Sequence, residues 1–195
     1  MHSRNLYCVD FEITRDGQRS LHIIEIGAIR LDDAFRPCRE FSCLVRPPCR
    51  IDPIDARVTG LSDQDLALAE PPSSAFPRLL SFIGNAVVLA HNAKYDKTVV
   101  EVTCDRLSLA APNWSYIDTL KLARRFITAR SYSLSHLVAE IGISYEKHRA
   151  LSDCVAAAAL FQHIVSIMET DYGEHALQNA LDIGRINHAE QGTLF

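Results

Sequence analysis

Up to Val45 the apolar positions gather into three short runs. Leu6-Tyr7-Cys8-Val9 is wholly apolar, residues 23–31 are rich in β-branched side chains, and residues 40–45 end against Pro47-Pro48. Runs of this length, bounded by turn formers such as Asp16-Gly17 and Asp32-Asp33, predict three strands in an antiparallel meander. The period then lengthens. Phe76, Leu79, Leu80 and Ile83 mark one helix face, with Ser73 or Ser74 as its cap and Gly84 as its stop. Residues 86–90 are apolar throughout, as a central parallel strand requires. A helix over residues 93–107, a short strand at Tyr116-Ile117-Asp118, a helix between Ser133 and Gly142 and a long apolar helix over residues 151–168 complete the pattern. Strands first, then helix and strand in alternation, predict an α/β fold: a mixed sheet, antiparallel meander plus parallel strands, flanked by helices. Residues 1–172 are expected to form the domain. Residues 173–195 are less periodic and read as a C-terminal tail.

Composition narrows the class. The 195 residues suit one domain, and 48% hydrophobic with 23% charged residues excludes a disordered chain, a collagen-like rod and a coiled coil. The longest apolar run, residues 155–161, falls short of the ~18 residues a bilayer span needs, so no membrane partner is expected. No apolar segment of the secretory kind follows residues 1–5, and a cytoplasmic location is expected. A net charge of −4 argues against gripping long duplexes by phosphate neutralisation alone. It leaves room for a nuclease whose positive charge is bound metal. Six cysteines without a C-x-x-C pair read as reduced thiols.

Three segments carry chemistry. In Val9-Asp10-Phe11-Glu12 the two acids stand at i and i+2 of a strand, on one face with Cα atoms ~6.8 Å apart. His91-Asn92-Ala93-Lys94-Tyr95-Asp96 follows an apolar strand and opens a helix, and ligands collect at such strand ends. His148-Arg149-Ala150-Leu151-Ser152-Asp153 opens the last helix, with Asp153 on its first turn and His148 on the loop before it. Each has an ordinary explanation alone: a frayed strand, a dipole-favoured surface acid, an exposed loop histidine. Together they put four acids around one hole, which requires cations, and hard oxygen ligands select Mg²⁺ or Mn²⁺.

The ordered set resembles the DEDDh-type 3′→5′ exonucleases of the DnaQ-like, ribonuclease H-like superfamily. Asp10 and Glu12 match the first motif's Asp-x-Glu, Asp96 the acid of the second, and His148 with Asp153 the third motif's H-x₄-D. Glu25-Ile26-Gly27-Ala28, Val58-Thr59-Gly60-Leu61 and Ile117-Asp118-Thr119-Leu120 resemble the segments between, while Asp10-Phe11-Glu12-Ile13-Thr14 and Val45-Arg46-Pro47 lean toward the Eri-type branch. Arg57 stands where many polymerase-associated members carry His, and Tyr95 and Lys97 flank Asp96 where Phe and a small residue are commoner.

The resemblance implies hydrolysis of phosphodiester bonds at the 3′ end of single-stranded DNA or RNA, releasing nucleoside 5′-monophosphates. Two ions ~3.5–4 Å apart would hold the attacking and leaving oxygens. Asp10 would bridge them, Glu12 and Asp153 complete one, Asp96 act through water on the other, and His148 take the proton of the attacking water. Phe11 and Leu61 would contact the terminal nucleotide, with His91 and Asn92 also facing substrate. Lys121, Arg124, Arg125, Arg130, Lys147 and Arg149 would form a basic lip for upstream phosphates. Rival readings are a non-catalytic nucleic-acid-binding module of the same fold and a hydrolase of very short oligonucleotides. At the C-terminus, Gln191, Leu194 and Phe195 resemble the bacterial sliding-clamp-binding motif Gln-x-x-Leu-Phe, making a clamp a further expected partner.

Overall fold

A computed structural model describes residues 5–186. Strands β1 (Leu6–Arg15), β2 (Leu21–Leu31) and β3 (Pro37–Leu44) form the expected meander. β4 (Val87–Ala90) and β5 (Ser115–Asp118) join it in parallel, giving the order β3-β2-β1-β4-β5. The mixed sheet is the one the pattern predicts.

Side-chain alternation divides the core between two faces. Cys8, Ile29, Leu89 and Ile117 point to one face, under α7 (Ala150–Tyr172), α5 (Thr119–Phe126) and α6 (Leu134–Glu140). Tyr7, Val9, Phe11, Ile26, Ala28 and Val88 point to the other, under α3 (Pro72–Ile83) and α4 (Ala93–Arg106). Phe161, Ile164 and Met168 of α7 are fully buried. Continued through the C-terminal turns to Gly184, this helical segment is long and apolar enough to cross a bilayer, and half of its most apolar stretch is buried in the protein instead.

Several details depart from the sequence pattern, α5 among them, a helix of eight residues that the pattern did not predict. Two short helices, α1 (Pro53–Thr59) and α2 (Asp63–Leu66), follow β3. Neither is long enough to show a helical period, and caps hold them: Asp52 accepts from the Ile54 N–H, and Ser62 and Asp65 make a reciprocal capping box. α3 starts at Pro72 and not at a serine cap, because proline at the first helical position gives up no bonded N–H. Residues 173–186 are no loose tail. A 3₁₀ turn (Gly173–His175) and α8 (Ala176–Gly184) pack against α7, and the Ile186 N–H donates to the Tyr116 carbonyl at 3.1 Å, closing the β5 edge. Gln191, Leu194 and Phe195 lie outside the described residues. All six cysteines are free thiols.

Candidate active site

The site begins where β1 outruns β4. Their parallel pairing ends at Cys8–Leu89, and β1 continues to Arg15 with β2 alone beside it. Asp10 and Glu12 therefore sit within an ordered strand that has lost one neighbour, not in a frayed end. Both share the face of Cys8, toward α7. Gly27 lies directly across from Asp10 on β2, and a side chain there would overlap the backbone of Ala150 and Leu151. Glycine lets the first turn of α7 lie on the sheet at this level, where the Cys154 thiol donates to the Gly27 carbonyl at 3.3 Å. That contact carries Asp153 to the strand acids. Asp10, Glu12 and Asp153 each offer an oxygen within 4.8 Å of the other two.

Asp96 arrives from the other side of the gap. After β4 the chain turns at Asn92, a non-glycine residue in the left-handed region (φ +67°), whose N–H donates to the Asp118 carboxylate at 3.0 Å. Asp118 also caps α5 through the Leu120 N–H, so one carboxylate locks two helix starts together. The turn buries Asp96 on the first turn of α4, outside the group of three but near enough to act on Asp10.

The charges are crowded and short of cations. Burial first, then Asp96, Asp153 and Glu12, pushes the Asp10 carboxyl well above the usual carboxylate range. Burial, then Asp153 and Glu25, pushes Glu12 up to about 7. Burial also raises Asp96, with Asp118 and Glu12 adding to it, and raises Asp153. Asp153 Oδ2 is buried with no hydrogen-bond partner. An unpaired buried oxygen in an all-carboxylate set fits a hard divalent cation.

The loop before α7 approaches the same acids. The Tyr145 hydroxyl and the exposed His148, at φ +58°, both bear electrostatically on the Asp153 carboxylate. Sequence reasoning missed Tyr145, because nothing in its local pattern separates it from a packing aromatic. It also missed what Glu25 does. This carboxylate, 2% exposed and paired with Glu12 across the sheet, receives Arg149 Nε at 3.2 Å on each oxygen and Nη2 at 3.1 Å.

The expected substrate contacts fare unevenly. Phe11 is 6% exposed and packs under α3 and α4, because alternation turns it away from Asp10 and Glu12. Leu61 is buried with Ile24, Ile51 and Leu66. Both are core residues. His91 is held at both ring nitrogens, by Thr119 Oγ1 at 3.0 Å and the Tyr132 carbonyl at 2.9 Å, so it ties α5 to a loop and its ring is not free for substrate. Asn92 is exposed. Of the basic lip, Arg124, Arg125, Arg130 and Lys147 are exposed, whereas Arg149 turns inward to Glu25 and Lys121 donates to the Arg185 carbonyl at 3.0 Å.

Comparison with known proteins agrees with this geometry. The family model described as Exonuclease (RNase_T) matches residues 7–161. The chain belongs to this exonuclease family. Its acids and histidine stand in the order that the resemblance to the DEDDh type implies. It is 31% identical over 162 residues to a PolC-type DNA polymerase III of Thermotoga petrophila, covering 83% of this chain and 12% of that protein. A putative bifunctional exonuclease/endonuclease of Mycobacterium tuberculosis is 29% identical over 73% of this chain and 23% of its own. The chain thus spans a small part of these relatives. Among solved structures, Exonuclease X in complex with 5′-overhanging duplex DNA superposes with a TM-score of 0.67 and 28% identity, covering 92% of this chain and 99% of that one. Exonuclease I (TM-score 0.73, 18% identity, 89% of this chain and 45% of that one) shares the fold.

Proposed function

We propose that this chain removes nucleoside 5′-monophosphates from the 3′ ends of single-stranded nucleic acid. The observation that carries this reading is the convergence of Asp10, Glu12 and Asp153 on a half-buried point beside Asp96, with His148 on the loop before α7. Asp10, Glu12 and Asp153 would hold a first Mg²⁺ or Mn²⁺ ion, and Asp10 with Asp96 a second. Bound there, the ions would supply Lewis-acid stabilisation of the attacking and leaving oxygens. His148 stands outside the carboxylate cluster, where its imidazole accepts the proton of the attacking water. The left-handed backbone at His148 aims a loop side chain that a helical residue five positions before Asp153 would not match.

Contact with the terminal nucleotide does not rest on Phe11 or Leu61. It falls to α1, whose Ile54 and Val58 are exposed at 63% and 46%, one helical turn apart, beside Arg57. Asp55 of the same helix ion-pairs with Arg15, which also donates to the Tyr95 hydroxyl at 3.0 Å, so α1 borders the site. Arg124, Arg125, Arg130 and Lys147 would meet upstream phosphates. DNA is the favoured substrate, supported by the likeness to the PolC-type polymerases and to Exonuclease X.

Purified protein with Mg²⁺ or Mn²⁺, assayed on matched single-stranded DNA, duplex DNA, RNA and a dinucleotide, tests this reading. Single-stranded DNA should be degraded fastest. Hydrolysis of the dinucleotide alone would favour the short-oligonucleotide reading, and binding without hydrolysis the non-catalytic one.

A further inference from the structure

We propose that the pair formed by buried Glu25 and half-exposed Arg149 is a positioning device for His148, fixing the backbone hinge from which that side chain reaches the site. The inference rests on the reading of His148 as the proton acceptor. His148 is held at φ +58°, a conformation that non-glycine residues keep only when neighbouring structure imposes it. On its C-terminal side the next residue, Arg149, makes three short contacts to a carboxylate that is 2% exposed in the middle of β2. A planar guanidinium on both oxygens of a carboxylate fixes orientation as well as distance. Arg149 is also the N-terminal flank of α7, where no side chain caps the helix, so this pair adds a side-chain tether to the one backbone bond its carbonyl accepts from Asp153.

The anchor adds to, and does not replace, what holds the metal ligands, although the Asp153 N–H donates to the Arg149 carbonyl at 3.0 Å and the Arg149 charge bears on Glu12. Asp153 is brought in by the contact of α7 with Gly27 and by the Cys154–Gly27 hydrogen bond. Loosening the Arg149 side chain should therefore disturb His148 more than the carboxylates, which the contact of α7 with Gly27 still holds. Glu25 needs no role as a ligand: it lies outside the group formed by Asp10, Glu12 and Asp153, and Arg149 occupies both of its oxygens.

A double-mutant cycle tests this on the Mn²⁺-loaded protein with a 5′-labelled single-stranded DNA. Misplacing a reacting group by about 1 Å costs up to ~10²-fold, so Arg149→Gln should lower kcat by about that factor, with KM and Mn²⁺ binding by calorimetry each changed less than about threefold. Adding His148→Ala to Arg149→Gln should bring the total loss no further than that of His148→Ala alone, because the same contribution is lost only once. Glu25→Gln should behave like Arg149→Gln, and Arg149→Lys, which keeps the charge without the planar fork, should recover part of kcat. Should Arg149→Gln fail to fold, Glu25→Gln/Arg149→Gln, which leaves no bare buried charge, replaces it in the cycle. Losses that multiply, or a loss in Mn²⁺ affinity instead of kcat, would overturn the positioning role. An inactive wild-type protein would instead overturn the nuclease reading on which it rests.

Discussion

The carboxylates differ from ordinary surface acids in that their mutual repulsion and burial outweigh the nearby Arg149 and His148, and single substitutions should expose that. Asp10→Asn and Asp153→Asn each remove one like charge from a crowded, buried cluster. Nuclease activity should vanish, while the metal-free melting temperature stays level or rises, because the folded state no longer confines that charge. Turnover at the wild-type rate by either variant would contradict the metal assignment. His148→Ala should lower kcat by about 10²–10⁴-fold, as for a lost general base, with Mn²⁺ affinity in calorimetry unchanged. At this scale the sequence was legible where spacing forces geometry. Asp10 and Glu12 had to share a strand face, and Asp153 the first turn of a helix. It misled where one residue's facing decided the matter: Phe11, between two acids, points to the opposite side of the sheet. Arg149 read as a phosphate contact because its partner, Glu25, lies far away in sequence.

Among elements, the decisive contact is α7 on β2. A helix reaches a sheet this closely only where side chains are absent, and Gly27 provides the gap opposite Asp10. Gly27→Ala should push the start of α7 off the sheet, costing about 1–3 kcal/mol or more as overpacking does. Asp153 would move with the helix, so activity should fall further than the loss of stability explains. Kinetics measured well below the variant's melting temperature separate the two effects, and near-wild-type kcat there would show that α7 need not sit so close. The long elements were readable from period alone. α1 and α2 were not, since four and seven residues are too few to reveal a helical stripe, and their stability comes from caps and Pro53. α8 escaped notice because it spans too few turns to set its period apart, and Ala176, Leu177 and Ala180 bury against helices contributed earlier in the chain.

For the whole molecule, the acid cluster ties stability to pH and to metal. Burial, Asp153 and Glu25 push Glu12 up to about 7, and Asp10, Asp96 and Asp153 are raised in the same direction. Between the ordinary carboxylate range and neutrality the folded chain then holds more protons than the unfolded chain, so metal-free stability falls as pH rises through that window. Without metal, the melting temperature should be higher near about pH 5.5 than near about pH 8. Saturating Mg²⁺ or Mn²⁺ should restore it at the higher pH, by about 2.7 kcal/mol at a hundred times the Kd. A melting temperature indifferent to metal would mean that the carboxylates hold none. The most direct measurement of the central claim follows the products formed from a 5′-labelled single strand of DNA with Mn²⁺, resolved by length and by nucleotide. The arrangement of Asp10, Glu12, Asp96, His148 and Asp153 predicts stepwise shortening from the 3′ end, release of nucleoside 5′-monophosphates, and no reaction with chelator or in Asp10→Asn. Internal cuts, products carrying 3′-phosphates, or hydrolysis that persists in chelator would contradict it.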